Sequence, residues 1–193
     1  MSARSNKRGP GRLAADRDAS AATAKALITR ALRRAGAYHL LNGQPGMVAL
    51  IVPEADAEIY VDVAQSMLKR SRMPFYPDDF EVLRWTGKPP KQGFRSEDEV
   101  LKALLPKTER IFGIACRTED IPSLFRNVAD AIIEVDTVDL RALQAVFGAI
   151  LGCVPAEREL APVVGAPLHL LGAAIKSGRN PGWALRMCFG VQV

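Results

Sequence analysis

Cysteine, histidine and tryptophan are scarce in this chain: three Cys, two His and two Trp in 193 residues. Cys116, Cys153 and Cys188 cannot build a disulfide framework, and such sparse use of cysteine suits a reducing compartment. His39 and His169 stand far from any second ligand at a metal-binding spacing, and no His-Glu-x-x-His occurs. A zinc site is therefore not expected. No apolar run approaches the ~18 residues a membrane-spanning helix requires. The amino terminus lacks the apolar core of a secretory signal, so a cytoplasmic protein without a transmembrane segment is expected. Thirteen Pro and 15 Gly are scattered along the chain and exclude collagen-like and low-complexity classes. What is present is enough to fold: 48% of the residues are hydrophobic and 24% charged, a balance that can bury a core.

Charge is distributed unevenly. Residues 1–34 hold nine basic groups (Arg4, Lys7, Arg8, Arg12, Arg17, Lys25, Arg30, Arg33, Arg34) against Asp16 and Asp18, a net +7. The remaining 159 residues carry a net −2. A basic arm of this kind attracts polyanions through counterion release, so weak binding to nucleic acid or to an anionic surface is expected. Lys7, Arg8, Arg12, Arg30, Arg33 and Arg34 are the candidate polyanion contacts. Residues 1–18, with Gly9, Pro10 and Gly11 among charges, are expected to form a disordered basic arm. Residues 19–43 are expected to hold an Ala-rich helix with Leu27, Ile28, Ala31 and Leu32 on one side, ended by Gly36 or Gly43. That leading segment is expected to contribute little core, so removing residues 1–34 should leave the body folded.

From residue 44 to 152 strand and helix signals alternate. Residues 47–52 (MVALIV) form an apolar run too short for a helix, as expected of a strand buried on both faces. Pro53 stops it, and Asp56 is placed to cap the helix that follows. Residues 80–85 read as a second strand nearer an edge, 110–116 as a third and 130–135 as a fourth. Ser96 and Glu99 form a capping box ahead of a helix that ends at Pro106. Ile121 or Pro122 opens a short helix, and residues 138–151 give the clearest one, with Leu140, Leu143, Phe147, Ile150 and Leu151 as its core stripe. Residues 153–193 read as a small helical, lid-like tail. The expected fold is α/β: a three-layer, Rossmann-like parallel sheet of about four to five strands flanked by helices.

In such a sheet ligands sit beyond the carboxyl ends of the strands. The loop after the first strand, Pro53-Glu54-Ala55-Asp56-Ala57, has no Gly, Lys or hydroxyl to cradle a phosphate, and carries two carboxylates instead. Nucleotide binding through a phosphate loop is excluded there, and no cofactor is expected. The loop at 117–120 is the most polar of the set, suited to sensing an anion, to contacting a subunit, or simply to helix entry with Asp120 as cap. Asp136 and Asp139 resemble an acidic metal-site pair, yet Asp139 also stands where the next helix needs its cap. His169, in an apolar stretch, reads as a packed residue. Cys116 at a strand end has no His nearby to activate it.

The string IFGIACRTEDIPSLFRNVADAIIEVDTVDLRALQAVFGAIL resembles one region of AAA+ ATPases, in which the fourth core strand, a polar sensor, a short helix, the fifth strand and the last helix follow in this order. The later ELAPVVGAPLHLLGAAIKSGRNPGWALRM is similar to a lid-type tail. Together they resemble the nucleotide-blind domain that precedes the ATPase module in some bacterial AAA+ ATPases and ATP-dependent zinc proteases. The resemblance implies that Arg117, Thr118 and Arg126 are sensor-like or subunit-contacting residues. It also implies an AAA+ ATPase or a second copy as partner. The departures bear on function: the phosphate loop is absent, the apolar run ending in Asp136 falls on the fifth-strand position, and Asn127 and Val128 stand where an arginine finger would precede that strand, with Arg126 out of register. The expectation is a non-catalytic regulatory or assembly domain, with a truncated or split gene product as one form of it; the alternative is a nucleic-acid-associated protein that binds through its basic N-terminal arm.

Overall fold

The computed structural model describes residues 11–70, 80–88, 95–151 and 154–176. Helix α1 (Gly11–Arg34) leads into β1 (Gly46–Ile51), α2 (Ala57–Arg70), β2 (Phe80–Arg84), α3 (Glu97–Leu104), β3 (Arg110–Ala115), α4 (Ser123–Val128), β4 (Ala131–Glu134), α5 (Leu140–Leu151), α6 (Glu157–Leu160) and α7 (Leu168–Lys176). The four strands pair in parallel in the order β2-β3-β1-β4. The expected α/β fold with helix-flanked parallel strands is therefore the fold of the protein. β1 and β3 are central, which explains their apolar runs: a strand covered from both sides has no face to give to water.

Two apolar layers sandwich the sheet. On one face Val48, Leu50, Phe112, Ile114 and Ile133 meet α1, α2, α5 and α7. On the other, Ala49, Ile111 and Ala115 meet Trp85, Leu101 of α3 and Phe125 of α4. The Trp85 and Phe125 rings lie 4.7 Å apart at 57°, a tilted contact that suits their quadrupoles. Trp85 lies directly over Gly113 of β3, where any Cβ would collide with the indole.

Helix α1 corrects two expectations. It begins at Gly11, so residues 11–18 are helical where a disordered arm was expected, while residues 1–10 lie outside the described residues. It is also a core element. Ala24, Leu27, Ile28, Ala31 and Leu32 are all fully buried, packed in one cluster with the sheet and α7. Buried positions recur at 19/20, 23/24, 27/28 and 31/32, a four-residue spacing that makes one continuous stripe. Burying Leu27, Ile28 and Leu32 contributes roughly 1.5–3 kcal/mol each. The helix ends at Gly36 (φ +73°), one of the two glycines expected to end it, with Ala37 N donating to Leu32 O at 2.9 Å.

The tail is bound into the same core. Leu160, Val163, Leu168 and Leu171 are buried with α1, and the Ser20 hydroxyl donates to Leu168 O at 2.6 Å. The capping box of α3 is present: Glu99 N donates to Ser96 Oγ at 3.3 Å and Ser96 N to Glu99 Oε2 at 2.8 Å. Asp139 caps α5 by accepting from Ala142 N at 2.8 Å.

Candidate functional site

The chain leaving β1 turns to the face carrying α2, while the chain leaving β3 turns to the face carrying α4. Two adjacent parallel strands whose connections diverge in this way open a crevice between their carboxyl ends, the general ligand position of such sheets. Pro53 and Glu54 follow β1 at this end of the sheet, and Cys116, Arg117 and Thr118 follow β3.

The β1 side is closed by the chain itself. Asp56 was expected to cap its own helix, α2; instead its carboxylate is turned toward α7. It accepts hydrogen bonds from Leu168 N (2.8 Å) and His169 N (3.4 Å), and the His169 ring meets it through Nδ1 at 3.0 Å. Asp56 is 2% exposed, and burying a carboxyl group so deeply is costly without bonds of this kind. His169 is thus no packed core residue: its side chain is 51% exposed and paired with Asp56. Burial, reinforced by the Asp56 charge, raises the Tyr60 phenol well above its ordinary value. The space left among Pro53, Asp56, Tyr60, Val138 and Pro167 is about 60 Å³, far below the ~300 Å³ at which ligand pockets begin.

The β3 side is charged and open. Arg117 and Thr118 are exposed, Arg117 in extended conformation (φ −142°, ψ 156°) before the short turn Thr118–Asp120. Asp120 lies within that turn and does not cap α4, whose cap position is Pro122. Burial pushes the Cys116 thiol up, the neighbouring Glu54 and Asp120 carboxylates add to this, and the Arg84 and Arg117 guanidinium groups oppose it. Arg84 is paired with Glu58 of α2. A thiol so placed is a weak nucleophile at neutral pH.

A second, open cleft of about 360 Å³ lies between the start of α3 and the start of α4, with Lys88, Glu97, Asp98, Asp120 and Arg126 in its lining. Burial raises the Glu97 carboxyl, partly offset by a hydrogen bond from the Thr86 backbone, and Asp120 and Asp98 raise it further. Arg126 and Asp120 both line this cleft, while Arg117 and Thr118 lie outside its lining.

The basic residues are dispersed. Lys7 and Arg8 fall outside the described residues, and Arg12 lies on α1. Arg30 and Arg34, expected to meet polyanions, are engaged within the fold: Arg30 pairs with Asp136 (3.1 Å) and Asp139 (2.6 Å), and Arg34 with Asp136 (2.8 Å) and Glu134 O (3.1 Å). Their charge tethers α1 to the β4–α5 connection. Arg33 stacks over the Tyr38 ring at 4.8 Å. The Asp136–Asp139 pair is accordingly an ion-pair partner for α1, and among the described residues no cluster of three His, Cys, Asp or Glu could hold a metal ion. Nor is any described helix long and apolar enough to cross a membrane.

The Asp56–His169 contact and the meeting of Glu97 with Asp120 escaped the sequence reading. Both join residues from different connections, and no local spacing signals them. No protein-family model, curated protein or solved structure matches this chain.

Proposed function

We propose that this protein is a non-catalytic, AAA-like domain that serves assembly or regulation of an AAA+ ATPase or ATP-dependent protease system in the cytoplasm. The observation that carries the reading is the closed β1 side of the crevice. There, Asp56 and the amino end of α7 occupy the place where a nucleotide-binding member would hold phosphate, and the charge is of the wrong sign for phosphate. The succession β3, polar 117–120 loop, α4, β4 and α5 supports the AAA-like part of the reading. The exposed Arg117, Thr118 and Arg126 at that end of the sheet supply the charged surface a subunit contact would use.

Site-specific photo-crosslinking tests it. A benzoylphenylalanine at position 117, in the full chain expressed in its native cells, is expected to capture an ATPase whose own sequence carries an intact phosphate loop, or a second copy of this chain. Adducts only to nucleic acid, or ATP hydrolysis by the purified protein, would overturn the reading.

A further inference from the structure

Asp56 is not used by its own helix. It is buried in the β1–α2 connection, and its described hydrogen bonds run to α7. A buried carboxylate without partners is costly, so the conformation of this connection depends on α7 being in place. The dependence is mutual: the first turn of α7 has free N–H groups that need an acceptor, and Asp56 takes two of them. The approach to α7 is a tight turn at Gly165 (φ +77°), fastened to the α5 side by Gly165 N donating to Val138 O at 2.7 Å. Beyond this turn α7 is seated on α1 by Leu168 and Leu171. The outer side of the contact is reached by solvent, because the His169 ring is half exposed.

We propose that residues 164–176 are a releasable plug over the carboxyl end of β1, with Asp56 as its clasp and His169 as the solvent-facing part of that clasp. Release turns about Gly165 and opens the 60 Å³ space above Tyr60, which Thr137 and Val138 of the β4–α5 connection bound on its other side. The plug is a property of this fold and holds whether or not the chain works with an ATPase.

Hydrogen exchange read by mass spectrometry on the full chain tests this, comparing the parent with Asp56→Ala and His169→Ala. The expected result is exchange at amides 168–171 at least tenfold faster in Asp56→Ala, with the β1 and β3 amides as protected as in the parent. His169→Ala, which removes only a half-exposed ring, should speed the same amides by a smaller factor. If both variants leave 168–171 unchanged, Asp56 is no clasp. If the sheet loses protection together with α7, the segment is not separately releasable. Should Asp56→Ala fail to fold, the His169→Ala comparison decides by the same two criteria.

Discussion

Gly113 on β3 and Cys116 just past its end carry different demands. At Gly113 the indole of Trp85 lies against the backbone of β3, so the strand must lack a side chain there. Gly113→Ala is expected to displace Trp85 from its contact with Phe125 and to cost about 1–3 kcal/mol, the usual range for overpacking, measurable as a lowered urea midpoint at unchanged slope. Three residues later, burial and the Glu54 carboxylate push the Cys116 thiol up. Iodoacetamide at pH 8 should alkylate Cys116 several-fold more slowly than it alkylates free cysteine, followed peptide by peptide; labelling at or above the free-thiol rate would contradict the placement of that thiol.

Among the elements, α1 is joined to α5 by both packing and charge. Burial alone would raise the Asp139 carboxyl, but the bond from Ala142 N and the Arg30 guanidinium outweigh it and hold the group below the usual range, with Arg141 adding to this. A carboxylate depressed in the folded state stabilises above its unfolded pKa, and that contribution is lost as pH falls through the folded value. Asp139→Asn keeps a capping oxygen but loses the charge, so it should lower stability near neutral pH by up to about 1 kcal/mol, the range of a partly exposed ion pair, and the difference from the parent should shrink toward pH 2. Equal differences at both pH values would mean that the charge of Asp139 does not matter. Several of these elements were legible beforehand because their signals are local. The apolar runs of β1 and β3, the Ser96–Glu99 box and the Asp139 cap each depend on neighbours within a few residues. The burial stripe of α1 was legible too, but a stripe does not reveal what it packs against. Its contacts with α7 and the sheet come from distant parts of the chain, so the sequence does not show how much of the core this helix holds. Asp56 was misread for the same reason: a residue before a helix is a natural cap, and only the fold shows that α7 takes it instead.

At the scale of the whole molecule, one apolar cluster joins α1, the sheet and the tail. Deleting residues 1–34 would strip Leu27, Ile28, Ala31 and Leu32 from that cluster at once, a loss comparable to the roughly 5–15 kcal/mol by which domains are stable. The truncated chain is expected to lose its cooperative thermal transition; a sharp transition near the parent's would mean that α1 is peripheral after all. The central claim is that the ligand position of this parallel sheet is closed to nucleotide by Asp56 and the amino end of α7. Isothermal titration calorimetry of the full chain with ATP–Mg²⁺ tests it most directly. No saturable heat up to millimolar nucleotide is the expected result, and a micromolar Kd abolished by a substitution at the β1–α2 connection would contradict it.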